Sequence, residues 1–469
     1  MLQGVTMQRN FRQSERWCGS ALLSGVLSFI FMAAPGSSMA HGQAQGAQDP
    51  PATDTPITLD EAIRRAEANE PAYAASLAES RAAGLDRWNA RAGLLPGVVY
   101  HNQALYTQPN GQKSPAGQGV DSQGTQKFIA NNAVREYGSQ ATINETLGLG
   151  QLAGVRRADA AAAQAAAELE IARRGLVAAV TGLFYGSLAA DNKLAVTERA
   201  RQEAADFTSL TGKREQAREA AHADVVKAQL AQQQRERDWA DAKLAAEKAR
   251  LELGVLLFPD PRTPYTLATA DGAAELASRA EIDQAAAKNN PELKSALAAL
   301  NVSNADVLSS RAAYLPDLGL NVTYGIDAPQ FAVNGPDHVR NLGYSASVTL
   351  DIPVWDWLST EHKVKQSEIR RDAARVALTA TQRRLIARLD EAYSEAAAAR
   401  DQLASLDASV ATAAESLRLT KLRYSEGEAS VLEVVDAQNA FVGAENARED
   451  GRVRYQAARA DLQTITGTM

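Results

Sequence analysis

The clearest pattern along the chain is an alternation with a period of two residues. Leu318, Leu320, Val322, Tyr324 and Ile326 alternate with Gly319, Asn321, Thr323, Gly325 and Asp327. The alternation returns between Leu342 and Ile352, where Leu342, Tyr344, Ala346, Val348, Leu350 and Ile352 are set against Gly343, Ser345, Ser347, Thr349 and Asp351. Successive strand side chains point to opposite faces, so each segment predicts a strand of about ten residues with one apolar face and one face of small polar residues. A noisier version at 97–107 and 134–146, joined by a Gly/Gln/Asn/Ser-rich loop, predicts a second strand pair.

The rest of the chain has helical periodicity. Thr58 with Glu61 three residues on predicts a capping box opening a helix over Thr58–Asn69, and a second helix runs from Pro71 to about Gly93. Their counterparts lie at 275–289 and 291–313. Two long helices follow each strand pair, 148–210 with 221–255 and 356–422 with 431–466. The last pair carries a stripe stepping by three and four: Leu389, Ala392, Ala396, Ala399, Leu403, Leu406, Val410, Ala413, Leu417 and Thr420, ending at Tyr424. Its partner stripe runs from Val434 through Ala437, Phe441, Ala444, Arg448, Gly451, Tyr455, Ala458 and Leu462 to Ile465, with Arg448 the misfit. Such stripes predict coiled-coil packing, and helices of sixty-odd residues extend roughly 95 Å.

The sixteen prolines avoid these helices, with none between Pro115 and Pro259 and none after Pro353. Asn69-Glu70-Pro71 corresponds to Asn289-Asn290-Pro291, and Leu94-Leu95-Pro96 to Tyr314-Leu315-Pro316, both 220 residues apart. Val225-Val226-Lys227-Ala228-Gln229 corresponds to Val434-Val435-Asp436-Ala437-Gln438, 209 apart. Repeated order at repeated spacing predicts an internal duplication, with a first repeat at 57–258, a linker at 259–274 and a second repeat at 275–467.

Composition changes the picture in three ways. The 469 residues are 45% apolar but only 6% aromatic; much of the rest is alanine, which suits long, closely packed helices rather than a bulky core. The net charge of −7, without a basic run, argues against nucleic acid as a partner. No stretch approaches eighteen consecutive apolar residues, which excludes a polytopic helical membrane protein. At the N-terminus, Arg9, Arg12 and Arg16 precede an apolar run from Ala21 to Ala34 and the small-residue end Ser38-Met39-Ala40. This reads as a signal peptide over 1–40 that takes Cys18 with it, followed by a flexible lead-in at 41–56. Cys18 precedes the apolar run, so it is not placed for lipidation.

One alternating strand alone reads best as half of a soluble sheet. Four of them, between helices with no bulky apolar face to cover them, read instead as membrane-spanning strands. Four strands cannot close a barrel, and open edges cannot stand in lipid. The chain therefore has to pool strands with copies of itself: two copies give eight, three give twelve.

From Ile57 to Gly467 the sequence resembles the outer-membrane efflux (TolC-like) family. The most specific segment is Arg423-Tyr424-Ser425-Glu426-Gly427-Glu428-Ala429-Ser430-Val431-Leu432-Glu433-Val434-Val435-Asp436-Ala437-Gln438, with the Leu-Pro strand entries and Asn-Pro helix starts in support. The resemblance implies an α+β membrane protein: a trimeric transmembrane β-barrel, four strands per chain, continued by a long periplasmic α-helical coiled-coil barrel. It implies a homotrimer in outer-membrane lipid that serves as the exit duct of a tripartite pump, partnered by a periplasmic adaptor (membrane fusion) protein and an inner-membrane transporter. It places Tyr424, Glu433 and Asp436 at the periplasmic aperture, and Arg218, Asp224 and Gly427 at the turns where the adaptor docks. Arg218 stands where the family usually has Gly, and Ala429 where some members carry a latching Arg.

Other chemistry finds little footing. His41, His101, His222, His338 and His362 are isolated, without the spacing of metal ligands. No phosphate loop or nucleophile elbow appears, so neither an enzyme nor a cofactor is expected. The rival reading is a soluble periplasmic coiled-coil scaffold or adaptor, which accounts for the helices but not for the strands.

Overall fold

A computed structural model describes residues 56–106, 135–268, 276–335 and 340–467. The expected signal peptide, the lead-in up to residue 55, the end of the linker and the loop between the first two strands lie outside the described residues.

The elements run α1 (Leu59–Asn69), α2 (Pro71–Ala92), β1 (Gly97–Tyr106), β2 (Arg135–Leu147), α3 (Leu149–Gln216) and α4 (His222–Leu257), then α5 (Arg279–Asn289), α6 (Pro291–Ala312), β3 (Asp317–Ala328), β4 (Leu342–Asp351), α7 (Ser359–Ser425) and α8 (Val431–Thr466). The second six repeat the first six in order and nearly in length, with helices of 11, 22, 68 and 36 residues answered by 11, 22, 67 and 36.

Local chemistry explains the helix starts. Proline opens α2 and α6, where its missing N–H costs nothing. Thr58 accepts from the Glu61 amide at 3.4 Å, but the Glu61 carboxylate turns to Arg64 and Arg65, so only half of the expected capping box forms. Ser278 and Glu281 form a complete box, which starts α5 at Arg279 rather than at 275. Asn69 donates to the Leu257 carbonyl at 2.8 Å and Asn290 to the Ile465 carbonyl at 3.0 Å. In each half an amide at the corner between the two short helices thus satisfies a carbonyl in the last turn of the closing helix.

The strands form one antiparallel sheet in the order β1-β2-β3-β4, so β1 and β4 are its edges. The register matches like with like. Val322 lies between Ile143 and Ala346, and Leu320 opposite Val348; Thr323 lies between Thr142 and Ser345. One face is therefore largely apolar, and it is uncovered: Val348 is 69% and Tyr344 82% exposed. The first two strands are less clean, with Asn102, Ser139 and Glu145 on the apolar face. Asn102 and Ser139 answer their own polarity, Ser139 donating to Asn102 Oδ1 at 2.8 Å beside the Tyr100 hydroxyl.

Three apolar clusters hold the helices. Ile57, Ala62 and Ala66 pack on Leu176, Val180, Phe184, Leu253 and Leu257. Ile282 and Ala286 make the matching contact with Leu389, Ala392, Ala396, Ala458, Leu462 and Ile465. The third, Phe207, Ala228, Tyr424, Val431 and Val434, sits at the helical turns. Between them the α3–α8 seam is polar. Glu449, buried on α8, accepts from Asn192 at 2.9 Å and from Arg448 and Arg452 at 3.2 Å, and Glu445 accepts from Arg199 at 3.1 Å. The misfit Arg448 of the α8 stripe thus has a partner.

Strand passes into helix in two ways. Gly148 alone links β2 to α3, and the Asp317 carboxylate occupies the space its Cβ would need. Between β4 and α7, Trp357 and Leu358 both adopt the left-handed conformation, at φ 58° and 63°. That conformation costs a non-glycine residue about 1–2 kcal/mol. Asp356 secures the turn by accepting from the Thr360 amide at 2.7 Å.

Candidate functional site

The residues singled out from the sequence gather at the two turns that join α3 to α4 and α7 to α8. Both turns close alike. The Glu219 amide donates to the Arg214 carbonyl at 2.8 Å, and the Glu428 amide to the Arg423 carbonyl at 2.9 Å. Each is a six-to-one bond around a left-handed residue, the Schellman arrangement. Gly427 takes that position in the second turn at φ 82°, and Arg218 takes it in the first at φ 61°. The 209-residue offset superposes the two.

Arg218 therefore carries strain that glycine would remove. Arg218→Gly is expected to stabilise the protein by about 1 kcal/mol, read as a raised thermal unfolding midpoint. An unchanged or lowered midpoint would show that the arginine side chain is itself bound.

The helices after the turns start differently. Ser430 and Glu433 make a complete capping box on α8: the Glu433 amide donates to Ser430 Oγ at 3.3 Å, and the Ser430 amide to Glu433 Oε1 at 3.2 Å. On α4 the corresponding cap is Ala221, which offers no side-chain acceptor. Asp224, the counterpart of Glu433, instead lies 3.6 Å from Lys227. The Ser430 hydrogen bonds, helped by Arg423 at 3.6 Å, hold the Glu433 carboxyl below its ordinary range. Like charges brought together by neighbouring copies would act in the opposite direction, but within the chain the cap sets the sign. Asp436 lies one turn further, and both acids are exposed.

Tyr424 is placed otherwise. Its ring is buried within the chain, 5.1 Å from the ring of Phe207, and does not face outward. Arg214 of α3 covers the ring at 4.8 Å and donates to the carbonyls of Tyr424 at 2.7 Å and Ser425 at 2.6 Å. Thr211 Oγ1 lies 3.3 Å from the tyrosine hydroxyl. One guanidinium thus ties the end of α7 to the end of α3, with a cation–π contact and two hydrogen bonds to helix-end carbonyls. Phe207, Thr211 and Arg214 were not among the residues read from the sequence. The offset that pairs Gly427 with Arg218 also pairs Arg423 with Arg214, and that was the signal available.

Comparison with known proteins agrees with the geometry. The model of the outer membrane efflux protein family matches residues 282–468. The second half of the chain is thus similar to the outer membrane efflux protein family. The likeness reaches the first half as well, since protein CyaE of Bordetella pertussis is 28% identical over 468 residues, 96% of this chain and 91% of that protein. Outer membrane protein TolC of Vibrio cholerae is 32% identical over 179 residues, 38% of this chain and 39% of its own length. Among solved structures, the CmeC outer membrane channel of Campylobacter jejuni superposes with a TM-score of 0.73 at 15% identity, covering 87% of this chain and 85% of that one, which shows the fold. Within the matched residues the α7–α8 turn carries both the glycine and the complete capping box that the first turn lacks.

Proposed function

We propose that this protein is the outer-membrane channel of a tripartite pump, a passive exit duct for substrates handed over by an inner-membrane transporter and a periplasmic adaptor. The observation that carries the reading is the sheet: four strands with one uncovered apolar face and two open edges, running into helices about 100 Å long at about 1.5 Å per residue. An exposed apolar sheet with open edges is an aggregation hazard in water. In lipid it is a barrel wall, provided β4 of one copy pairs with β1 of the next. Three copies give a twelve-stranded barrel continued by a periplasmic helical tunnel, and the repeated element lengths fit a duplicated half. A soluble scaffold or adaptor leaves the apolar face without a purpose and is not favoured.

At the far end of the tunnel, the turns with Arg218, Asp224 and Gly427 are the surfaces for the adaptor, and Glu433 and Asp436 surround the mouth. Three copies set six carboxylates around one axis, an arrangement that draws cations and repels anions. The experiment is bilayer conductance. Glu433→Gln with Asp436→Asn is expected to leave the trimer intact and to weaken cation selectivity at low salt. Unchanged selectivity would mean that these acids only start a helix. The pH dependence has a definite sign. The Glu433 carboxyl is lowered in the folded chain, so its contribution to stability is present above the ordinary glutamate range. It is lost as pH falls through the lowered value.

A further inference from the structure

We infer that a polar cavity two turns into α8 binds one ordered water, and that this water ties α8 to α3 through Gln438 and Glu203. The cavity lies where all four long helices meet. Its polar lining is Arg199 and Glu203 of α3, Arg235 of α4, and Gln438 and Glu445 of α8, with Leu417 of α7 closing one side. Gln438 is 7% exposed, and its amide nitrogen has no hydrogen-bond partner among the described residues. A buried donor left unmet is costly, so such groups nearly always meet protein or ordered water. Its repeat counterpart Gln229, 209 residues earlier, is exposed on α4 and meets bulk water. The same side chain on α8 is carried into a seam.

Glu203 stands across that seam. α3 and α8 run in opposite directions, with Asn192 donating to Glu449 at 2.9 Å and Arg199 to Glu445 at 3.1 Å. Further along α3, Phe207 shares an apolar cluster with Val434. Midway between Arg199 and Phe207, Glu203 is therefore level with the turn of α8 that holds Gln438. Its carboxylate accepts from Lys421 of α7 at 2.6 Å and retains capacity for a further donor. On the α4 side, Arg235 donates to Asn439, next to Gln438.

Charge and size decide the ligand. Two guanidiniums and two carboxylates leave the lining without net charge, so neither a cation nor an anion is favoured. The volume of about 20 Å³ holds one water and nothing larger. That water accepts from Gln438 Nε2 and donates to Glu203, a bridge nearly as good as a direct hydrogen bond. Gln438, water, Glu203 and Lys421 then join α8, α3 and α7 at one level above the Tyr424 cluster. The inference does not depend on what the protein conducts.

The test has a direct arm and an energetic one. In a crystal structure of the assembled protein at a resolution that shows waters, density is expected within about 3 Å of both Gln438 Nε2 and a Glu203 carboxylate oxygen. An amide turned to a protein acceptor, or a cavity without density, overturns the inference. So does a bromide soak that places an anomalous peak there, since the site would then take anions. Gln438→Met keeps the bulk of the side chain and removes the amide. With a bridging water in the parent, the unfolding midpoint should fall by about 2 °C. The fall should shrink to less than half when Glu203→Leu is already present, because the two residues share one bridge. A raised midpoint would mean that the amide stood unmet, and equal falls in both backgrounds that no water joins the pair; either result overturns the inference.

Discussion

Val348→Arg is expected to remove most of the assembled protein from the outer membrane, whereas Thr349→Arg, one residue on, should assemble nearly as well as the parent. The two positions differ only in the face they occupy. Val348 pairs with Leu320 on the uncovered apolar side. Thr349 pairs with Gly319 and reaches its carbonyl at 3.5 Å, on the side of Asn321, Thr323 and Ser347. A lipid-facing arginine near the bilayer midplane costs about 2–4 kcal/mol, and an arginine turned toward water far less. In the proposed trimer the cost is incurred three times. The measurement is the amount of unboiled trimer in the outer-membrane fraction, and equal loss from both variants would contradict the assignment of faces.

The second large effect is expected at Tyr424. Removing a buried aromatic ring costs about 3–5 kcal/mol, and here the loss takes the cation–π contact from Arg214 and opens space beside Phe207. Tyr424→Ala should therefore lower the unfolding midpoint and also raise the open probability in single-channel records, because the ring and its arginine join the end of α7 to α3. Arg214→Lys separates the two effects. Lysine keeps the charge but cannot fork between the carbonyls of Tyr424 and Ser425, so it should shift gating while leaving the ring packed. Gating like the parent's in both variants would show that the mouth is held closed elsewhere.

Much of the fold was legible because alternation, proline placement and alanine content agree with one another. β3 and β4 fall on the predicted spans, and α8 begins at Val431 as the Ser430 cap requires. The noisier first strand pair also forms, since its partners in β3 supply the register. Hidden from the sequence were groups whose type misleads. Glu445 and Glu449 are charged yet buried at the α3–α8 seam, because Arg199 and Asn192, distant in sequence, satisfy them together with the neighbouring Arg448 and Arg452. Arg214 carries no sequence mark of its role; only the approach of the end of α3 to the end of α7 gives it the Tyr424 ring. Trp357 and Leu358 carry no turn signature at all, and their left-handed backbone is set by what the strand end and the helix start demand together.

The single-residue joint at Gly148 makes the sheet and α3 share one angular phase. A helix advances about 100° per residue, so one residue inserted there would turn α3 about its own axis by more than a quarter revolution. Val180 and Phe184 would then leave the first apolar cluster, and Arg214 would point away from Tyr424 at the distant end. The seven residues between β4 and α7 have slack to absorb such a change; Gly148 has none, and Asp317 fills the space beside it. The pitch of the strands is in this way geared to the orientation of side chains some 100 Å away, and the length of that joint is as much a part of the α7–α8 turn as the residues that form it.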